Sequence, residues 1–338
     1  MGHLSLANET GFAFEPVFLT DEEGRPFLVA VLKATYSILD DGSLRLAEEQ
    51  IPVNLAGEYS GEPGESSYRY EPEGAFTKPS TDVVLIGHAH ARRFGETEVL
   101  VSLRIGSVGK TVRVTGDRHW EKTLGSISMT EPEPFEKIPL VWERSFGGWD
   151  RTHPDLNKHE FEPRNPVGTG FRSKYGYFQE GIRLPNIEDP RQPISKYGEA
   201  SPPAGFGFTS PDWQPRAGFA GTYDDAWMEQ RMPFLPADFD RRFFNSASPG
   251  LVAPDYLRGD EPVLIENATP GSRLSFALPG APPPKCRVEL KRADPSVLHT
   301  RLDTAIVNTD ESLLFLIWRA GLPLRNGPED VSSIQLEP

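Results

Sequence analysis

The sequence has 338 residues, and its 49 acidic side chains outnumber the 35 basic ones, for a formal net charge of −14. Such a surface repels phosphate groups, so the charge excludes nucleic acid and anionic membrane lipid as expected partners and favours a basic protein surface. The 31 glycines, 33 prolines and aromatic share of 10% exclude long-helix architectures and disorder, and they indicate a folded, turn-rich protein.

The chain begins with MGHLSLANETGF, which lacks the basic residues and the continuous apolar stretch of a secretory signal peptide. No run of eighteen or more apolar residues follows, so we expect no membrane-spanning segment. We therefore expect the protein to act in the cytoplasm. A chain of this length can bury roughly 75% of its unfolded surface, so it needs neither disulfides nor metal ions to fold.

Residues 1–130 are predicted to form a succession of β-strands. Residues 26–39, PFLVAVLKATYSIL, are rich in β-branched and aromatic side chains, and DVVLIGHAHA at 82–91 follows a Lys-Pro-Ser-Thr turn. Residues 97–120 alternate apolar and polar side chains on both sides of GSVGK, which predicts a hairpin. The residues expected on its apolar face are Val99, Val101, Leu103, Ile105, Val112 and Val114.

His88 and His90 are the strongest metal candidates, because residues two apart on a strand point to the same face. Cupins combine such a pair with a nearby glutamate and a third histidine. Here Glu96 is too distant in sequence, and His119 is the only nearby third ligand. We therefore predict two strand histidines without a metal ion, and we predict no cofactor.

Residues 131–262 are predicted to form a chain of rigid corners, because proline fixes its own φ and glycine supplies positive φ. A short helix is expected around Asp224 to Arg231. Flexible linkers lack large aromatics, so we expect these loops to be ordered and packed. Four of the six tryptophans lie here: Trp142, Trp149, Trp213 and Trp227.

The motif WERSFGGWD at 142–150 is the most unusual of these corners. Gly147 and Gly148 would permit a sharp bend, with at least one of them at positive φ. Arg144 could lock the bend by pairing with Glu143 or Asp150. Two interpretations stay open: the motif only holds the loop together, or it also contacts a partner.

Residues 263–338 return to strands, with segments at 262–268, 273–279, 286–293 and 311–320 separated by proline- and glycine-containing turns. The single cysteine, Cys286, has no partner for a disulfide and is expected to be a buried, inert thiol.

The predicted fold class is mainly β: an antiparallel, β-sandwich-like body wrapped by long ordered Pro/Gly-rich loops, with few short helices. The first zone, 1–130, and the last, 263–338, would supply the sheets, and the loop-rich zone 131–262 would wrap them. No internal repeat of fixed period is present, which argues against a propeller or solenoid. We expect one domain over 1–338, as the simplest architecture.

The sequence lacks the common catalytic motifs: a G-x-S-x-G elbow, a phosphate-binding Walker loop, a G-x-G-x-x-G after a strand and an H-E-x-x-H helix. Neighbouring acids are abundant, and glycosidases need two acids across a cleft. With tryptophans nearby, a carbohydrate-directed protein, either a glycoside hydrolase or a sugar-binding module, is the alternative function. The acids in question are Glu188-Asp189, Asp224-Asp225, Asp238/Asp240, Asp260-Glu261 and Asp310-Glu311.

Several motifs together resemble a bacterial family long filed as a domain of unknown function. Their order along most of the chain is similar to that of adaptors, or chaperones, encoded beside type VI secretion spike proteins and toxic effectors. The motifs are LKATYSI, KPSTDVVLIGHA, GDRHW, WERSFGGWD, NPVGTGF, LPNIEDP, PPAGFG, AGTYDDAW, RMPFLPADFD, FFNSA, RGDEPV and NTDESLLFLIWRA.

The resemblance implies a non-enzymatic role, in which the protein binds an effector toxin and helps to load it onto the VgrG spike. It implies no catalytic residue and leaves the oligomeric state open. The expectation of no nucleic acid and no membrane as partners rests on the acidic charge and the lack of a spanning segment. Tryptophan and arginine on rigid loops make good interface anchors. The predicted binding residues are Trp142, Arg144, Gly147, Gly148, Trp149 and Trp227.

Overall fold

The computed structural model describes residues 4–123 and 125–338. Residues 1–3, which open the N-terminal stretch considered above, lie outside the described residues. Most regular structure is β. The strands of the first zone are β1 (Ser5–Asn8), β2 (Ala13–Thr20), β3 (Pro26–Ile38), β4 (Leu44–Leu46), β5 (Glu58–Tyr59), β6 (Tyr68–Tyr70), β7 (Asp82–Ile86), β8 (His88–His90), β9 (Glu98–Ile105), β10 (Val108–Thr115), β11 (His119–Thr123) and β12 (Ser126–Met129).

The middle zone consists of long loops joined by very short elements. Its strands are β13 (Lys137–Pro139), β14 (Phe146–Gly147), β15 (Trp149–Asp150), β16 (Glu160–Phe161), β17 (Thr169–Gly170), β18 (Ile182–Arg183) and β19 (Ile187–Glu188). The α-helix is α1 (Asp225–Gln230), where we predicted a short helix. Short 3-10 helices cover Trp142–Arg144, Leu156–Lys158, Arg216–Ala220 and Arg241–Phe244.

The last zone again contains longer strands. They are β20 (Pro262–Glu266), β21 (Arg273–Ala277), β22 (Lys285–Leu290), β23 (Ser296–His299), β24 (Arg301–Asn308), β25 (Leu313–Pro323) and β26 (Val331–Glu337), with a 3-10 turn at Pro328–Asp330. Within residues 4–123 and 125–338, no helix combines the length and the apolar composition that a membrane crossing requires.

The central sheet combines the two ends of the chain. Its order is β2-β3-β25-β24-β7, with β4 also pairing with β3. β3 is buried over almost its whole length, which matches its run of β-branched and aromatic residues. β24 and β7 pair in parallel, with Thr304 opposite Asp82. The first and last zones therefore build this sheet jointly, as predicted.

The predicted hairpin lies in a second sheet of order β19-β10-β9-β20-β21. Val101 is opposite Val112 and Val99 is opposite Val114, and all four are buried, so the predicted apolar face is confirmed. Side chains of both sheets and of a third, β1-β26-β22-β23, share one hydrophobic core. A smaller cluster of Trp120, Phe146, Leu184 and Ile194 lies under the loop-rich zone.

The mainly β fold with long loops and few short helices is confirmed. Several details were not predicted, among them the following two. Gly87, at φ 156°, interrupts the expected strand 82–91, so that β7 continues the central sheet while β8 pairs with β13. In addition, β24 was missed, although it occupies an inner position of the central sheet.

Candidate functional site

The motif WERSFGGWD forms a tight corner between three short elements. A 3-10 turn at Trp142–Arg144 leads into β14, and β15 follows directly after Gly148. Gly147 has φ 151° and Gly148 has φ 88°, so the prediction of positive φ is confirmed at both positions. A Cβ atom at Gly147 would overlap the carbonyl oxygen of Asn165, and one at Gly148 would overlap that of Gly168. The corner therefore requires glycine for both conformation and space.

Trp142 is part of the protein interior. Its side chain is buried, and its indole Nε1 donates a 2.7 Å hydrogen bond to the carbonyl oxygen of Phe208. Its ring meets that of Trp213 edge to face, with the centroids 5.9 Å apart. We therefore correct the initial assignment and remove Trp142 from the candidate binding residues, since its indole has no surface to offer a partner.

The predicted ion-pair lock of the corner is wrong. Arg144 contacts Asp117 at 3.3 Å and the Asn186 side-chain oxygen at 3.1 Å, and so it pairs with a distant loop. Glu143 instead accepts a 2.6 Å hydrogen bond from the backbone N–H of Ser67. About a third of the Arg144 side chain stays exposed at the edge of the corner.

Asp150, the last residue of the motif, is buried. It accepts hydrogen bonds from the hydroxyl of Thr152 at 2.6 Å and from the backbone N–H of Ser173 at 3.0 Å. Burial by itself would raise the pKa of Asp150, but these hydrogen bonds together with the charge of Arg172 lower it below its usual value. The carboxylate is therefore a charged anchor that joins two loops.

Trp149 is the exposed aromatic residue of the motif, with 42% of its surface accessible. It lies opposite Phe161 in the β15–β16 pair, and the two rings stack at a centroid distance of 4.4 Å. The guanidinium of Arg151 lies 4.7 Å from the centroid of the same indole. An ordered aromatic stack therefore stands at the surface next to the glycine corner.

A cavity of about 420 Å³ opens beside this stack. It shares Gly147 and Trp149 with the corner. Its charged lining residues are Arg151, Arg172 and Arg183, and Gly168 and Gly170 form part of its wall. We call it the arginine cavity. A smaller neighbouring cavity, of about 230 Å³, contains Arg144, Asp117 and Arg183.

Trp227 lies on α1, where Asp224 caps the helix by accepting a 2.8 Å hydrogen bond from the backbone N–H of Trp227. The indole Nε1 donates to the carbonyl oxygen of Phe234 at 2.8 Å. The Tyr223 ring packs edge to face on the indole, with a centroid distance of 4.8 Å. Trp227 is half-buried, and these contacts connect it to Tyr223 and to the backbone of Phe234.

Around Trp227, large apolar side chains point into solvent. Tyr223, Met228, Met232 and Phe234 are each between 41% and 60% exposed. We call these four residues with Trp227 the α1 surface. The sequence prediction selected Trp227 but missed the two methionines. Met228 lies on α1 and Met232 just after it, before a proline, in AWMEQRMPFLP.

His88 and His90 lie on β8, as a strand pair should. His88 Nδ1 contacts the Asp310 carboxylate at 2.9 Å, and burial together with the charge of His88 lowers the pKa of His90. In the part of the chain that the structure describes, no group of three or more His, Cys, Asp or Glu side chains is arranged to hold a metal ion.

The acid pairs on which the carbohydrate alternative depends have local partners. Glu188 is buried and accepts from Arg113 at 2.6 Å and from Arg118 at 2.8 Å. Asp238 accepts from the backbone N–H of Thr222 at 2.9 Å. Asp240 pairs with Arg242, Glu261 bonds the backbone of Arg258 and Gly259, and Glu311 pairs with Arg69.

Comparison with known proteins gives one match. The family model described as "Uncharacterized protein conserved in bacteria (DUF2169)" matches residues 23–319, which include the corner, the arginine cavity and the α1 surface. No curated protein matches the chain. No solved structure matches it either.

Proposed function

Because the chain belongs to the bacterial DUF2169 family, we propose that it is a non-enzymatic adaptor that binds a toxic effector in the bacterial cytoplasm and assists its loading onto the VgrG spike for type VI secretion. The ordered set of motifs from LKATYSI to NTDESLLFLIWRA supports this role through its resemblance to adaptors encoded beside spike and toxin genes. The structural support comes from the surface of the middle zone.

The observation that carries the proposal is the α1 surface. Surface apolar residues that occur singly are ordinary, but a contiguous patch of aromatic and methionine side chains is typical of a protein–protein contact. Methionine suits such a contact because its unbranched side chain adapts to different partner shapes. Here Met228 and Met232 are both exposed within five residues of the half-buried Trp227.

The α1 surface is also held in place. Arg231 forms an ion pair with Glu23 at 2.9 Å, and Arg241 forms one with Glu22 at 2.7 Å, so two points tie this segment to the loop before β3. Phe234 lies against Gly24 in the same loop. A surface that is ordered before binding loses less conformational entropy when the partner arrives.

The charge around the α1 surface indicates the complementary partner. Asp224, Asp225 and Glu229 are exposed at its border, and Arg231 is already paired with Glu23. An effector segment with an apolar centre and Lys or Arg at its rim would fit this pattern. The net charge of −14 would steer such a segment, so its association rate should fall as salt concentration rises.

The test is to identify the genes encoded beside this one, co-express any toxin and spike protein among them with this protein, and follow complex formation by size-exclusion chromatography and calorimetry. We expect a stable complex that Met228→Ser and Met232→Ser weaken at least tenfold, as interface anchors do. Phe94→Ser is the matched control, because Phe94 is fully exposed far along the sequence from α1. All three variants should keep the wild-type circular dichroism spectrum.

The same experiment separates the alternatives. A complex unaffected by both methionine variants would remove the α1 surface as the contact, and failure to bind either neighbouring gene product would overturn the adaptor role. Turnover or saturable binding of a polysaccharide would favour the carbohydrate-directed protein. Alanine at Trp149, Arg144 and Trp227 extends the test to the predicted binding residues that stay accessible.

A further inference from the structure

The arginine cavity concentrates positive charge on a protein that is otherwise strongly acidic. Arg151, Arg172 and Arg183 line it, and no acidic side chain is among its lining residues. In the adjoining cavity, the carboxylate of Asp117 is bonded to Arg144 and to Asn186. Asp150, next to Arg151 in sequence, lies 3.7 Å from Arg172 and balances part of the positive charge. The remaining positive charge of the cavity comes from Arg151 and Arg183.

The bonding of the three arginines is incomplete. In the part of the chain that the structure describes, Arg151 lies over the Trp149 indole and Arg183 forms no ion pair. Arg172 is nearly buried. Its guanidinium forms a long ion pair with the Asp150 carboxylate, at 3.7 Å. The Nε–H of Arg172 is buried without a hydrogen-bond partner. A buried guanidinium N–H left unbonded costs free energy, so Arg172 is held beside the cavity at a cost in stability.

The walls of the cavity combine backbone and polar groups. Gly147, Gly168 and Gly170 form part of the wall, and Gln179 contributes an exposed amide. The volume of about 420 Å³ lies within the range of small-molecule sites and exceeds what a bare anion needs. Trp149 lines the cavity and, with Phe161 stacked on it, offers an exposed apolar surface for the rest of the ligand.

We propose that the arginine cavity is a binding site for an oxyanion, a carboxylate or phosphate group that contacts Arg172 and Arg183, carried by an organic body that packs against Trp149. Guanidinium groups bind both oxyanions through paired N–H donors, which is why arginine is preferred at such sites. The source is either an acidic segment of a protein partner or a free small anion. This site does not depend on the adaptor role.

The test uses the full-length protein at constant ionic strength. Sodium citrate and inorganic phosphate are titrated separately, with binding followed by calorimetry and by tryptophan fluorescence, since Trp149 borders the site. We expect saturable binding that Arg172→Gln and Arg183→Gln each weaken roughly tenfold or more, the effect of losing a charge-assisted hydrogen bond. Arg93→Gln is the control, because it removes the same charge from an exposed segment between β8 and β9.

A further arm identifies the source of the anion. A synthetic peptide of glutamates flanking a tryptophan, with both ends blocked, presents carboxylates on a protein chain. Binding at least tenfold tighter than that of citrate indicates a protein-borne acidic segment, and saturable binding of citrate or phosphate alone indicates a small free anion. Should Arg172→Gln not fold, the exposed Arg183 carries the test. Absence of saturable binding, or equal loss in Arg93→Gln, overturns the proposal.

Discussion

The indole N–H of Trp142 is bonded to the carbonyl oxygen of Phe208 at 2.7 Å, which ties the start of the glycine corner to a loop of the middle zone. Seven residues later, Trp149 lies exposed on the outer side of the same corner. The motif therefore contains one tryptophan that holds the fold and one that is available to a ligand.

This difference predicts that the same substitution lowers stability at Trp142 but hardly changes it at Trp149. Trp142→Phe removes the N–H donor and leaves the Phe208 oxygen buried without its partner, so we expect a loss of roughly 1–3 kcal/mol in unfolding free energy. Trp149→Phe should change stability by only about 0.5 kcal/mol or less, as surface substitutions do. Urea unfolding monitored by circular dichroism measures both. Equal losses in the two variants would contradict this division of roles.

The glycine corner predicts that alanine substitutions lower the unfolding free energy by graded amounts. Gly148→Ala must place a Cβ both at φ 88° and against the Gly168 carbonyl, whereas Gly181→Ala meets only the backbone penalty, since φ is 77° there with open space around. We expect Gly181→Ala to cost roughly 1–2 kcal/mol and Gly148→Ala about 1–3 kcal/mol more. The comparison is made by chemical denaturation. If Gly148→Ala and Gly147→Ala both unfold like wild type, the corner is not constrained as described.

The sequence was most informative where burial follows a simple period. The alternation of β9, with Val99, Val101 and Leu103 on one face, was sufficient to predict its hairpin and its core side. β24 was missed because Asp303 and Thr304 interrupt its apolar run. The structure explains both residues: Asp303 is buried in an ion pair with Arg319, a partner on the neighbouring strand that no local pattern reveals.

The candidate site was predicted only in part, for a related physical reason. Residues 142–150 have no period, so nothing local distinguishes the buried Trp142 from the exposed Trp149. The partner of Arg144 is Asp117, which comes from the loop between β10 and β11. The arginine cavity combines Arg151 and Arg172 from two loops with Arg183 from β18, and such a site exists only in the folded chain.

For His88 and His90 we expect no stoichiometric transition metal in purified protein. His88 already has the Asp310 carboxylate on its Nδ1 at 2.9 Å, which accounts for its orientation without an ion. Elemental analysis and melting with and without a chelator measure this, and the melting temperature should not change. One equivalent of zinc, lost together with the fold in His88→Ala, would refute it.

Cys286 should be unreactive in the native state. The thiol is fully buried, and burial raises its pKa to about 12, so at pH 8 only about one thiol in 10⁴ would be ionised. We expect modification by a thiol-specific reagent only after denaturant unfolds the protein. Stoichiometric labelling of the native protein within minutes would show that the thiol is accessible.

Lys110 predicts a dependence of stability on pH. Its ammonium donates to the Ser248 hydroxyl at 2.6 Å and to the Pro249 carbonyl at 2.9 Å, while burial lowers its pKa to about 8, although Asp189 acts to raise it. Between pH 8 and the ordinary lysine value of about 10.4, the unfolded chain binds more protons at this position, so stability should rise with pH.

The measurement is the unfolding free energy of wild type minus that of Lys110→Met across this pH range, in which the contributions of other groups cancel. The difference should increase in favour of wild type as pH rises from 8 to 10. A difference that stays constant, or that falls, would mean that the Lys110 amine titrates as it does in water.

The order of strands in the central sheet has a consequence for synthesis of the chain. β3 and β7 are synthesised well before β24 and β25, which separate them in the sheet. Until the last zone has been translated, β3 therefore has an open, apolar edge, and strand edges of this kind pair readily with other chains. Partly synthesised chains of this protein are therefore expected to be prone to aggregation until β24 and β25 have been translated.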